Sequence, residues 1–173
     1  MFSKLNEVST WSEYLMLLRP KSRGVIKLRS DDRFDHPLIY PNYLDHPLDL
    51  TTLLEGVEFV DKLSKTASLQ RDGSKINLKP FVGCENIRVF TDDYWECVIR
   101  HYRATVYHSV STCKMGPSTD SEAVVDPQLR VYEVKGLRVV DASIMPNIVS
   151  DNTNAPVIIG QKGSDMIKKV WFG

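Results

Sequence analysis

Apolar residues recur along the chain at two spacings, and each spacing predicts a different element. The segment 25–29 begins with β-branched Val25 and Ile26 and alternates in part, which predicts a short strand. From residue 50 onward, apolar residues recur every three or four positions and predict an amphipathic helix with Asp49 as its N-cap. The stripe consists of Leu50, Leu53, Leu54, Val57, Val60 and Leu63.

Capping residues predict two further helices. Thr91 can cap a helix whose buried stripe would be Trp95, Val98, Ile99 and Tyr102. Asn152 or Asn154 can cap a closing helix, in which Pro156 occupies the permissive first turn. Such a helix start carries unpaired N–H groups and partial positive charge, which suit an anion or an electron-rich ring.

A near-repeat of the sequence Asp-His-Pro-Leu occurs at 35–38 and 45–48. Each proline pushes the preceding histidine towards an extended backbone, so we expect an irregular or edge segment. Two interpretations of His36 and His46 are open, namely substrate ligands or solvated loop histidines.

The apolar run 137–140 predicts a buried strand that ends at Asp141. Two interpretations of this aspartate are open. Its carboxylate can serve a bound group at the strand end, or it can cap the loop that follows.

Composition and charge exclude several kinds of function. Among 173 residues, 22 basic side chains balance 22 acidic ones, so no electrostatic footprint for nucleic acid or an anionic membrane is present. The apolar run 157–159 is far shorter than the roughly 20 residues of a membrane span, and the N-terminus has no signal pattern. The three cysteines form no Cys-x-x-Cys pair, and no two of the four histidines fall at the i,i+4 spacing that places two ligands on one helix face, so we expect no metal site and at least one unpaired thiol.

The segment 105–116 carries the main candidate chemistry. Thr105 and Val106 lead an aromatic residue and His108 into a loop rich in small polar residues. His108 can exchange a proton near neutral pH, and an asparagine-rich loop follows 44 positions later, at Asn152. From these residues alone, His108 is either a catalytic base or a hydrogen-bonded core histidine.

Several motifs together resemble one known family. Three segments resemble the C-terminal part of glucose-methanol-choline oxidoreductases, namely 107–116, 124–146 and 152–156. Segments 20–24, 35–38 and 41–44 are similar to the substrate domain of that family, particularly in insect glucose-dehydrogenase-like members. The resemblance covers nearly the whole chain in order.

The resemblance implies an FAD-dependent enzyme that oxidises a primary alcohol or a sugar hydroxyl by hydride transfer to the flavin. By position, His108 matches the active-site histidine and Asn152 matches its partner at the substrate oxygen. The resemblance assigns FAD binding to Asp141, Ala142, Asn152, Thr153, Asn154, Ala155 and Pro156. Implied partners are a small-molecule alcohol or sugar and an electron acceptor such as a quinone. The resemblance to insect members favours a dehydrogenase over an oxidase.

The Gly-x-Gly-x-x-Gly motif that holds the ADP part of FAD in this family does not occur among the 9 glycines. We therefore expect a C-terminal fragment that needs an N-terminal FAD-binding half and is inactive without it. A non-catalytic binding or interaction module that retains the scaffold is the alternative. Although the resemblance suggests secretion, no signal segment is visible.

The expected fold class is α+β, as a fragment of a larger fold. Residues 1–105 would form part of a substrate domain, an antiparallel sheet with packing helices. Residues 106–133 would form the active-site segment and connection, and 134–173 the C-terminal strand and helix of an FAD-binding α/β layer.

Overall fold

The structure is a computed structural model that describes residues 10–149 and 154–173. Its internal contacts divide the chain into two compact units. The first combines Met1–Gly24 with Pro41–Ala104, and the second combines Val25–Tyr40 with Thr105–Gly173. These units do not test the predicted division of the chain by function into 1–105, 106–133 and 134–173, which stays a prediction.

The first unit is helical. It contains α1 (Pro47–Ser64), the short α2 (Ala67–Arg71) and α3 (Asp92–Tyr102), and α1 packs against both other helices. The helices predicted from residue 50 and from residue 91 are confirmed as α1 and α3. The Thr91 cap is also confirmed, because its hydroxyl accepts a hydrogen bond from the Tyr94 N–H at 3.3 Å.

The predicted cap of α1 was wrong. The helix begins at Pro47, because proline fixes a helical φ in the first turn, and the N-cap is His46. The Nδ1 atom of His46 accepts from the Leu48 N–H at 3.2 Å. Asp49 instead lies buried inside the first turn, where it binds the loop at residues 21–22.

The core of the first unit forms between α3 and the loop before it. Cys84, Tyr94 and Val98 are buried, and Trp95 packs against them. Tyr102, predicted in the buried stripe, is 42% exposed, although its hydroxyl donates to the Val82 carbonyl. Cys84 forms a disulfide with Cys97, a pairing that the cysteine spacing did not predict, while Cys113 is a free thiol.

The second unit contains the two described strands. β1 (Val25–Lys27) and β2 (Leu38–Tyr40) pair antiparallel, with Ile26 opposite Ile39. This confirms the strand predicted from residue 25 and places β2 within the predicted edge segment. The antiparallel sheet is therefore much smaller than expected.

The strand predicted at 137–140 does not form. With the part of the chain that the structure describes, the segment forms a single bridge, between Arg138 and Arg130, and it is half-buried at best. Opposite it, Leu129 has a φ of 66°, and this left-handed backbone interrupts the extension that a ladder of consecutive pairs requires.

The closing helix α4 (Asn154–Trp171) is confirmed and covers the core of the second unit. Val125, Leu129 and Ile144 form this core, and Ile159 and Met166 of α4 pack against it. Val157, Ile158 and Val170 of the same helix remain between 67% and 70% exposed. Across residues 10–149 and 154–173, the structure contains no helix long and apolar enough to cross a membrane.

Candidate functional site

His108 lies in an irregular loop of the second unit. The β-branched residues before it form a turn and not the extended run that the sequence suggested. Val106 and Tyr107 both have left-handed backbones, with φ of 49° and 63°, and the His108 N–H donates to the Thr105 carbonyl at 3.3 Å. Left-handed backbone in a β-branched residue is costly and occurs most often at functional sites. Tyr107 is 95% exposed, whereas His108 is half-buried.

The loop that carries His108 is joined to the segment that carries Asp141. The Cys113 N–H donates to the Ser143 carbonyl at 3.0 Å, and the Met115 N–H donates to the Ile144 carbonyl at 2.8 Å. Two backbone bonds therefore hold residues 113–115 beside residues 143–144. Two of the three motifs that the sequence singled out thus meet in the fold.

Asp141 acts as a local cap. Its Oδ1 atom accepts from the Ser143 N–H at 2.7 Å and begins a 3-10 helix at Ala142–Ile144. This is the loop-capping interpretation of the residue. The carboxylate is also exposed, and Ala142 is half-buried, so a contact from either residue to FAD stays a prediction.

The third motif is described only in part. Asn152 and Thr153 lie outside the described residues, so the predicted pairing of His108 with Asn152 stays a prediction. Asn154 is the first residue of α4, and Ala155 and Pro156 are half-buried in its first turn. The 3-10 helix packs against α4, which connects the Asp141 segment to the element that begins at the third motif.

A cluster of charges supports the loop after His108. Lys114 pairs with Asp120 at 2.8 Å and with Glu122 at 3.1 Å. The hydrogen bond to Asp120, followed by that to Glu122, raises the pKa of Lys114, and the same lysine lowers the pKa of Asp120. Sequence analysis did not identify this cluster, because no local spacing signals an ion pair across a loop.

Asp126 organises the turn that follows. It is 9% exposed, and its carboxylate accepts from the N–H groups of Gln128 and Arg130 at 2.8 and 2.9 Å and from Arg130 Nε at 2.7 Å. Burial alone would raise the pKa of Asp126, but these hydrogen bonds and the Arg130 charge outweigh it and lower the pKa. The Asp-Pro pair at 126–127 was an available signal for such a turn.

The arrangement offers a half-buried imidazole, an exposed carboxylate and the positive end of an 18-residue helix. An imidazole can accept a proton, a carboxylate can accept a hydrogen bond from a hydroxyl, and a helix start favours negative charge. A carboxylate that accepts hydrogen bonds suits the ribityl hydroxyls of a flavin, and a helix start that favours negative charge suits its electron-rich ring.

The family model described as GMC oxidoreductase matches residues 20–159. The chain is 46% identical over 156 residues to the glucose dehydrogenase [FAD, quinone] of Drosophila pseudoobscura pseudoobscura, covering 90% of this chain and 25% of that protein. It is 42% identical over 151 residues to the alcohol dehydrogenase [acceptor] of Pseudomonas putida, covering 87% of this chain and 26% of that protein.

Solved structures agree with the sequence relatives. A formate oxidase of Aspergillus oryzae RIB40, from a study of FAD modification, superposes with a TM-score of 0.74 and 31% identity. The match covers 89% of this chain and 26% of that one. The chain thus spans about a quarter of the length of the relatives that it matches.

Proposed function

This chain belongs to the GMC oxidoreductase family, and from that premise we propose that it is the C-terminal part of an FAD-dependent enzyme that oxidises a primary alcohol or a sugar hydroxyl. His108 is the proposed catalytic base, and Asn152 orients the substrate oxygen. The electron acceptor is a quinone or a similar compound, as in the name of the Drosophila relative.

The proton step belongs to His108. Oxidation of an alcohol releases one proton from the hydroxyl and one hydride from the carbon, and a neutral imidazole accepts the proton as general base. FAD, when bound, supplies the hydride acceptor. The amide of Asn152 can donate a hydrogen bond to the substrate oxygen without competing for its proton.

The proposed FAD contacts come from two segments. Asp141 and Ala142 would meet the ribityl and pyrophosphate region, and residues 152–156 would lie beside the ring. The start of α4 provides partial positive charge, which stabilises negative charge on the flavin. The exposed carboxylate of Asp141 is available to accept hydrogen bonds from the ribityl hydroxyls.

The observation that carries the proposal is the backbone junction between residues 113–115 and residues 143–144. Bonds of 3.0 and 2.8 Å join the loop of the proposed base to the segment of proposed cofactor contacts. A general base must lie within hydrogen-bond reach of its proton, and these two bonds bring the loop of the proposed base into contact with that segment.

The family's Gly-x-Gly-x-x-Gly cradle is not among the residues of this chain. We therefore propose that the 173-residue chain alone binds FAD weakly and turns over no alcohol. Stoichiometric flavin in the purified chain would contradict this part of the proposal.

A chimera tests the catalytic assignment. This chain would replace the matching quarter of the Drosophila melanogaster glucose dehydrogenase [FAD, quinone], a relative that is 46% identical over 156 residues. Glucose and a panel of primary alcohols would be supplied with an artificial electron acceptor. We expect the acceptor to be reduced only when substrate is present. His108→Ala should lower the rate of this reaction at least ~100-fold, as expected for loss of a general base.

A matched control uses His36→Ala, because the exposed position of His36 in the same unit fits the interpretation of it as a solvated loop histidine and not as a substrate ligand. This variant should retain activity. If the chimera binds FAD but His108→Ala and His36→Ala have equal activity, His108 is not the base. A folded, FAD-loaded chimera without activity on any substrate would favour the non-catalytic module.

A further inference from the structure

Three potential metal ligands meet in the first unit, and the proposed function does not use them. Cys97 and His101 lie four residues apart on α3, and Cys84 lies on the turn before that helix. One ligand atom from each of the three side chains lies within 4.8 Å of the other two. Cys84 is 1% exposed, Cys97 is half-buried and His101 is exposed, so solvent reaches the cluster from the histidine side.

The two sulfur atoms form a disulfide in this structure. We propose that the reduced chain binds one zinc ion through the thiolates of Cys84 and Cys97 and the imidazole of His101. A dithiol such as dithiothreitol supplies the two electrons and two protons that convert the disulfide into two thiols, and it is itself oxidised to a cyclic disulfide. Zinc binding then displaces the two thiol protons into solvent.

The position of the imidazole suits this geometry. Zinc bonds of about 2.3 Å to sulfur and about 2.0–2.1 Å to nitrogen in a tetrahedral site put a sulfur and a nitrogen ligand roughly 3.6 Å apart. His101 Nδ1 already lies 3.6 Å from Cys97 Sγ. The two sulfur atoms must also separate to about 3.8 Å, which cleavage of their bond permits.

The neighbours of His101 set the present orientation of its ring. His101 Nδ1 lies 2.9 Å from the Cys97 carbonyl oxygen, and a Cβ added to Gly83 would lie 3.4 Å from the imidazole Cδ2. A metal ion and the Nδ1 proton lie in the same direction from the ring, so metal binding also requires the exposed ring to turn until Nδ1 points at the sulfur atoms and away from the carbonyl.

The ligand chemistry selects zinc over calcium or magnesium. Two thiolates and an imidazole are soft and borderline donors, whereas calcium and magnesium prefer oxygen. Three protein ligands leave the fourth tetrahedral position to a water molecule. The disulfide and the zinc ion would then be alternative links between α3 and the turn at Cys84.

Cobalt and zinc test the proposal on the purified chain. All samples would carry Cys113→Ser, so that the free thiol cannot bind metal. The reduced chain, kept under argon after removal of dithiothreitol, would be titrated with Co²⁺, and zinc would be added to displace it. We expect one Co²⁺ per chain with thiolate charge-transfer and tetrahedral ligand-field bands, and no such bands for the oxidised chain.

Variants separate this site from adventitious binding. His101→Ala, at an exposed position, should weaken zinc affinity by at least ~10-fold, the lower end seen even for residues that only support a ligand. His36→Ala, at an exposed loop histidine, should leave it unchanged. Zinc should also raise the thermal midpoint of the reduced chain, because binding to the folded state stabilises it.

Three results would overturn the proposal. They are no cobalt bands in the reduced chain, equal zinc affinity in His101→Ala and His36→Ala, and a thermal midpoint that zinc leaves unchanged. The last would mean that zinc binds equally to an unfolded chain. None of these measurements depends on FAD or on alcohol oxidation.

Discussion

Asp49 is the position where a one-atom change should cost the most stability. It is 2% exposed, and its two carboxylate oxygens share three donors from the loop before β1. Oδ1 accepts from the Lys21 N–H at 2.7 Å, and Oδ2 accepts from the Ser22 N–H at 2.8 Å and from the Ser22 hydroxyl at 2.5 Å. We predict that Asp49→Asn strongly destabilises the first unit.

The magnitude follows from the donor count. The asparagine amide has one oxygen and one NH₂ group, so in either orientation the NH₂ group faces a backbone N–H of Lys21 or Ser22. One part-buried donor then lacks an acceptor, which costs about 1–3 kcal/mol. The remaining bond loses its charge assistance, worth about 1 kcal/mol more. We expect a total loss of about 2–4 kcal/mol, a large share of a typical domain's stability.

Urea unfolding followed by tryptophan fluorescence measures this loss. Trp11 and Trp95 belong to the first unit and Trp171 to the second, so a Trp171→Phe background restricts the signal to the first unit. Asp61→Asn is the matched control on the same helix, because Asp61 pairs with Lys65 at the surface. Exposed pairs contribute about 0–1 kcal/mol. Equal losses in the two variants would refute the reasoning about buried donors.

The remaining predictions concern pH, packing and capping. Hydrogen bonding outweighs burial and lowers the pKa of Asp49, so its stabilising effect is complete above the unfolded value of about 3.9 and is lost below it. Urea midpoints of the wild type should therefore fall more steeply than those of Asp49→Asn below about pH 4. Gly163→Ala should cost about 1–3 kcal/mol in a urea titration, because its Cβ would lie 2.3 Å from Val140 Cγ1. Gly160→Ala, with nothing within 4 Å, should stabilise α4 by about 0.5–1 kcal/mol. Thr91→Ala should cost about 0.5–2 kcal/mol by the same measurement, since it removes the cap of α3.

Helices were predicted well because their signals are local. The three- and four-residue spacing of α1 and the hydroxyl cap of α3 both depend on residues within a few turns. The cap of α1 was missed because Asp49 has the right chemistry, but Pro47 starts the helix earlier. The buried role of Asp49 depends on residues 21–22, which lie 27 and 28 positions away. The spacing of apolar residues along a helix cannot predict a contact with residues so far away in the sequence.

Elements that need a distant partner were predicted less well. The run 137–140 has the apolar character of a strand, but a strand also needs an extended partner segment. The left-handed backbone of Leu129 interrupts the segment that lies opposite this run. The pairing of Cys84 with Cys97 has a separation of 13, which no spacing rule distinguishes from pairings with Cys113.

The candidate site combines motifs that local sequence predicts with contacts between distant segments that it does not predict. Sequence identified His108 and Asp141 as separate motifs 33 positions apart, and the structure joins their segments through bonds at 113–115 and 143–144. Tyr107, beside the proposed base, is 95% exposed, and Val157 and Ile158, at the start of α4, are 70% and 67% exposed. Large apolar side chains that remain in water near a site are typical of surfaces that another segment covers. The chain spans about a quarter of the length of the relatives that it matches, and local pattern identified its two motifs without the backbone bonds that join them.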